Sequence, residues 1–156
     1  MHKTIRKVLI IANLHKPDTE LLIGEIEKYM SERGIRTEIF GFRGKPGIPN
    51  IEDVDFVFSL GGDGTVLFSA RVLESRGIPI LAVNLGAFGF ITEVTKEEWR
   101  SAFEKYVSGE LGLSRRIMIK VMVERDGHRI ATLRGLNEAA ISSSGITKIV
   151  KLNLYL

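Results

Sequence analysis

The sequence predicts an α/β fold, a parallel sheet with helices packed on it, followed by the first strands of an incomplete β-rich domain. Three observations carry that reading. Apolar runs at Val8–Ala12, Phe56–Leu60 and Ile80–Val83 contain almost no polar residue, as expected of strands covered on both faces. Segments with helical apolar spacing alternate with these runs. Beyond Gly109 the period drops toward 2, and turn residues separate short strands. The expected division is 1–109 for a Rossmann-like nucleotide-binding domain and 110–156 for the start of a second, truncated β-rich domain.

Taken in order, Val8–Ala12 is the first strand, and Asn13 to Pro17 turn the chain. From Thr19 to Glu32 the residues Leu21, Leu22, Ile26, Tyr29 and Met30 keep helical spacing, and Gly34 supplies a C-cap. Thr37–Phe40 completes a βαβ unit, whose crossover is right-handed. Gly41–Asn50 holds three Gly and two Pro and reads as a loop. Strand Phe56–Leu60 meets Gly61-Gly62, and Val66, Leu67, Ala70 and Leu73 then mark a helix running to Arg76. Ile80–Val83 is a fourth strand ending at Asn84. Thr95-Lys96-Glu97-Glu98 is a capping box opening a helix through Val107, with Trp99, Phe103 and Val107 on its packed face. Met118–Glu124 and Arg129–Arg134 flank Asp126-Gly127, a hairpin turn. Ala139–Ser142 reads as a further strand, Ser142–Gly145 as a turn, and Leu152, Leu154 and Leu156 alternate as in a half-buried strand. About 45 residues of hairpins make a poor independent core, so these strands are expected to be finished by further chain or by another chain.

Composition narrows the function classes. Of the 156 residues 44% are hydrophobic and 26% charged, and the net charge is +3. No Lys/Arg block of the kind that follows a nucleic-acid backbone is present, no apolar run is long enough to span a membrane, and the absence of cysteine excludes thiolate chemistry. A cytoplasmic, soluble protein acting on small anionic molecules is expected, with neither nucleic acid nor membrane as partner.

The chemistry concentrates where strand Phe56–Leu60 gives way to a helix through Gly61-Gly62-Asp63-Gly64-Thr65. Glycines let backbone approach a ligand, and the unpaired N–H groups of a first helical turn attract phosphate. A carboxylate there fits two readings: Asp63 caps the helix, or it holds a metal ion or a hydroxyl during phosphoryl transfer. In Asn84-Leu85-Gly86-Ala87-Phe88-Gly89-Phe90-Ile91, Phe88 and Phe90 are either walls of a base pocket or core under a loop, and Asn84 can tie the loop through its side chain. Asn137-Glu138 suits the two hydroxyls of a ribose, or is an exposed polar loop.

These three stretches, in this order, resemble the NAD kinase family. The first is shared with diacylglycerol and sphingoid-base kinases; the second and third narrow the resemblance, which extends over essentially the whole chain. It implies transfer of the γ-phosphoryl of ATP, or of polyphosphate, to the 2′-hydroxyl of the NAD adenosine ribose. By position Asp63 would be the general base, Gly62, Gly64 and Thr65 the phosphate turn, and Leu67, Phe88 and Phe90 the surroundings of the adenosine. Asn137 and Glu138 would hold ribose hydroxyls, and Lys148 would be a further ligand contact. Mg2+ would neutralise the triphosphate, and a homodimer or homotetramer is the usual assembly. The chain departs from the family in ending before its Gly-Ser/Thr-Ala-Tyr segment, so 156 residues alone are expected to be inactive or nearly so. It also carries Phe68 where many members have a basic residue. A lipid kinase with the same turn, and a non-catalytic NAD-binding or assembly module, are the alternatives.

Overall fold

Strand β1 (Lys7–Asn13) is the centre of the first compact unit, and Val8, Leu9, Ile10, Ile11 and Ala12 are all fully buried. Burying one such aliphatic side chain contributes about 1.5–3 kcal/mol, and alternation sends successive ones to opposite faces. The computed structural model describes residues 4–74, 76–86, 89–142, 151–153 and 155, and the chain divides into the units Met1–Arg116 and Ile117–Leu156.

In the first unit β1 is followed by α1 (Thr19–Ser31), β2 (Arg36–Phe42), β3 (Phe56–Gly61), α2 (Asp63–Leu73), β4 (Ile80–Asn84), β5 (Val94–Thr95) and α3 (Trp99–Ser108). The five strands form one parallel sheet in the order β2-β1-β3-β4-β5. Val8, Ile10 and Ala12 pack with Phe56, Phe58, Leu60, Leu81 and Val83 under α1 and α3. Leu9, Ile11 and Val57 face the other way, with Leu73 of α2. Helices thus cover both faces, which is why these strands read as unbroken apolar runs. Phe68 belongs to the second face, where its ring stacks on Phe40 at a centroid distance of 6.0 Å.

Under α3 the core is aromatic. Phe58 meets Trp99 and Phe103 at centroid distances of 5.9 and 5.4 Å, and Phe56 meets Tyr106 at 5.0 Å. Tyr29 of α1 closes this layer, donating its hydroxyl to Glu104 Oε1 at 2.6 Å while the Arg33 guanidinium lies 3.5 Å from its ring centroid.

Several boundaries differ from the sequence reading. α2 ends at Leu73 rather than Arg76, because Leu73 is its last buried residue and Glu74 turns into left-handed backbone at φ 47°. Thr95 and Glu98 do pair, the Glu98 carboxylate accepting from the Thr95 N–H and hydroxyl at 3.1 and 2.8 Å. Thr95 itself, however, pairs in β5, and α3 starts only at Trp99, with Tyr106 rather than Val107 completing its buried face. Two-residue β5 has no periodicity to reveal it.

The second unit is a hairpin of β6 (Met118–Arg125) and β7 (His128–Leu136), turned through Asp126 and Gly127 at φ 52° and 75°. Left-handed values at both turn residues match the right-handed twist of the flanking strands. Residues 139–142 carry no strand: Asn137 breaks the extended run at φ 66°, and the exposed segment after it has no strand beside it among the described residues. The expected turn beyond Ser142 lies outside the described residues, as do Leu154 and Leu156 of the expected final strand; 151–153 and 155 are described and carry no strand. Among the described residues no helix is long and apolar enough to cross a membrane.

Phe58 is fully buried between the two aromatic helices' side chains. Phe58→Ala is therefore expected to destabilise the first unit by about 3–5 kcal/mol, read as a lower urea midpoint.

Candidate active site

In a sheet ordered 2-1-3-4-5 the chain leaves β1 toward one edge and β3 toward the other, so a crevice opens at the carboxyl ends of these two neighbours. Three loops rim it: the one after β1, the glycine turn after β3, and the one after β4. The register sets Ala12 beside Leu60 and Gly61 beside Asn84, so the three loops leave the sheet side by side. Asn84 builds its loop as the sequence indicates, its Oδ1 accepting the Gly86 N–H at 2.9 Å.

The glycines of the turn divide into two kinds. A side chain on Gly61 would strike the Thr65 hydroxyl and come within 3.4 Å of Asn13 Cβ, so Gly61 is required by packing. Gly62 and Gly64 would meet nothing within 4 Å, and neither has the left-handed backbone that favours glycine. Nothing in the described residues requires those two to be glycine. They leave bare backbone at the start of α2, where the Asp63 and Gly64 N–H groups have no helical carbonyl four residues back. Thr65 is buried, and its N–H is already donated to the Gly62 carbonyl at 2.9 Å.

Asp63 opens α2 but does not cap it; the N-cap is Gly62, with no side-chain cap bond. Its carboxylate reaches instead to the segment after β4. Oδ2 accepts the Phe90 N–H at 2.8 Å, and Oδ1 accepts the Ile91 and Thr92 N–H groups at 3.1 and 3.2 Å and the Thr92 hydroxyl at 3.2 Å. The Phe90 N–H, followed by the Ile91 and Thr92 donors, holds the Asp63 carboxyl below the ordinary aspartate range. Such a carboxylate is a weak base. A carboxylate offers about four lone-pair sites, so Oδ2, with one bond from the described residues, keeps room for a further donor.

Gly89 is needed for this contact, because a methyl there would strike Asp63 Oδ1 and lie 2.7 Å from Thr92 Oγ1. Phe90 is 98% exposed, so its ring is not core. Leu67 is half-buried on α2. Gly62, Asp63, Gly64, Thr65, Leu67 and Phe90 therefore belong to one region of the first unit. Asn137 and Glu138 belong to the second unit, both exposed, with the Asn137 N–H bonded to the Ile117 carbonyl at 2.9 Å. Phe88 and Lys148 lie outside the described residues. Sequence reasoning missed Gly89 and Thr92 as partners of Asp63, and Lys16 on the loop after β1. The Gly-Phe-Ile-Thr run carried a signal for the first two; Lys16 becomes visible only with the strand order.

Two glycine variants should separate packing from ligand access. Gly89→Ala is expected to lower the melting temperature by displacing Asp63. Gly64→Ala should leave it unchanged or raise it, since alanine favours a helix by about 1 kcal/mol over glycine. Because the folded Asp63 carboxyl titrates below its unfolded value, its contribution is whole above the ordinary aspartate range and is lost as pH falls through the folded value. Acidification should accordingly release the Phe90–Thr92 amides, read by hydrogen exchange.

Residues 45–111 match the family model described as the ATP-NAD kinase N-terminal domain. The NAD kinase of Treponema denticola is 36% identical over 151 residues, covering 96% of this chain and 53% of that protein. The NAD kinase of Geobacter sulfurreducens is 35% identical over 155 residues, covering 94% of this chain and 54% of that protein. The chain spans about half the length of the curated relatives it matches. Yeast NADH kinase, solved in complex with NADH, superposes with a TM-score of 0.65 over 85% of this chain and 47% of its own, at 19% identity, which is a likeness of fold. With both the glycine turn and the segment after β4 inside the matched residues, the chain belongs to the NAD kinase family and aligns with its amino-terminal domain.

Proposed function

We propose that the chain serves an NAD kinase, in which the γ-phosphoryl of ATP is transferred to the 2′-hydroxyl of the NAD adenosine ribose. The observation that carries this is the pair Gly62 and Gly64, bare at the start of α2 beside Asp63, where neither packing nor backbone conformation calls for glycine. A polyphosphate chain seated on those N–H groups would bring its terminal phosphorus close to the Asp63 carboxylate. Phosphoryl transfer passes through a loose transition state that asks for little proton removal until late. A carboxylate with a lowered pKa suits that demand: Asp63 orients the ribose hydroxyl through Oδ2 and takes its proton as the new P–O bond closes. Phe90 offers an exposed ring for the adenine face, with Leu67 beside the same turn. Asn137 and Glu138, as holders of ribose hydroxyls, and Phe88 and Lys148, as further contacts, are carried by resemblance alone.

Magnesium fits as a companion of the triphosphate. Among the described residues no three His, Asp or Glu side chains converge, so phosphate oxygens and water would form most of its shell. It would supply charge neutralisation there. Assembly into a homodimer or homotetramer, and a place in the cytoplasm, are carried by resemblance to the family.

One observation favours a second reading. The four bonds that Asp63 accepts from residues 90–92 are those of a structural clamp, which suits an NAD-binding module without turnover. Asp63→Asn distinguishes the two in a coupled assay of NADP formation from NAD, ATP and Mg2+. For the kinase, kcat should fall about a hundredfold or more while NAD affinity changes little, whatever melting temperature the lost clamp bonds remove. Loss of NAD affinity in the variant, with no NADP formed by an unsubstituted full-length version of the protein, would leave only the clamp.

A further inference from the structure

The lysine of the first βα loop ends somewhere its sequence position does not announce. Lys16 follows β1, yet its Nζ lies against Gly86, which follows β4; a Cβ on Gly86 would sit 3.0 Å from that nitrogen. Between β1 and β4 in the sheet stands β3. Neighbouring strands are about 4.8 Å apart, so from β1 to β4 is about 10 Å. To span that distance Lys16 must pass the carboxyl end of β3, where the chain turns through Gly61-Gly62-Asp63-Gly64. The loop that carries it is fixed from below: the Lys16 N–H bonds the Asn13 carbonyl at 3.2 Å, and the Thr19 hydroxyl bonds the Lys16 carbonyl at 2.8 Å.

Its charge is also unspent. Two other cations at this edge of the sheet are paired, Lys96 with Asp18 at 2.6 Å and Arg43 with Glu20 at 3.1 Å. Lys16 is half-buried and makes no ion pair with a carboxylate among the described residues. An ammonium partly withdrawn from water and unneutralised by its own chain favours an anion brought from outside. The adjacent backbone, bared by Gly62 and Gly64, attracts the same charge.

We propose that Lys16 binds the phosphate chain of the phosphoryl donor, neutralising it across the mouth of β3 while the start of α2 holds it from the other side. This rests on the kinase reading for the donor's identity, but the contact itself is to an oligophosphate. Reaction of lysines in the wild-type protein with an acetylating reagent, read by mass spectrometry, tests it without altering the fold. Inorganic tripolyphosphate and ATP should each slow acetylation of Lys16 at least fivefold and leave exposed Lys28 unaffected. NAD alone should protect Lys16 far less. Absence of protection by tripolyphosphate, or protection by NAD alone, would overturn the assignment. By titration calorimetry, Lys16→Met should weaken tripolyphosphate binding about tenfold, with Lys16→Arg retaining most of it. Lys16-dependent tripolyphosphate binding in a full-length version of the protein that makes no NADP would sink the kinase reading and keep this one. NADP formation with an unchanged KM for ATP in Lys16→Met would do the reverse.

Discussion

One carboxylate joins the parts of the crevice that the sheet alone leaves separate. Asp63 stands at the start of α2, and its oxygens gather three consecutive backbone N–H groups and a hydroxyl from residues 90–92. Backbone donors in a non-helical segment need partners, and an ionised carboxylate is a strong one. The contact therefore satisfies the loop and fixes the carboxylate at once. It also lowers the carboxyl's pKa, so the group is a persistent anion with little appetite for protons. A residue so placed orients a hydroxyl better than it deprotonates one.

What permits this contact is the burial of β1 and β3 on both faces. Val8 to Ala12 and Phe56 to Leu60 leave no solvent-facing side for a slipped register, because a one-residue shift would exchange the aromatic layer under α1 and α3 for the smaller layer under α2. With the register fixed, Gly61 falls beside Asn84, and the loops after β3 and β4 emerge within reach of each other. The accuracy of the rim is inherited from the core. Phe68 makes the same point from the opposite side: its ring packs on Phe40 and Phe42, so that position supports the sheet.

Much of the first unit was legible in the residues. Long apolar runs bounded by Gly and Pro could hardly be anything but buried strands, and the Asp126-Gly127 turn declares its hairpin. Less was legible wherever the decisive partner was distant in sequence. The cap reading of Asp63 was locally reasonable, but its partners lie 27 to 29 residues on, and no periodicity reports them. The Thr95–Glu98 pair forms as its spacing indicates, yet β5 claims Thr95 and delays the helix. Ala139–Ser142 has strand-like composition; a strand also needs a neighbour, which composition does not reveal. Lys16 is the clearest instance, since only the strand order 2-1-3-4 shows which turn a lysine after β1 must cross.

The glycines show where folding ends and binding begins. Gly61 and Gly89 are fixed by what surrounds them, the Thr65 hydroxyl in one case and the Asp63 carboxylate in the other. Gly62 and Gly64 are surrounded by open space, and alanine at either would cost the fold nothing sterically. Gly62 is the N-cap, where glycine serves better than alanine, whereas Gly64 lies inside the first turn, where glycine weakens a helix by roughly 1 kcal/mol relative to alanine. Gly64 therefore carries a helix penalty with no steric reason for it among the described residues, which is what supports reading the backbone there as open to an outside partner. The charge on offer at that backbone is the positive end of α2, and Lys16, with no ion pair among the described residues, ends against Gly86 on the neighbouring loop; both favour an anion that is long enough to touch each of them.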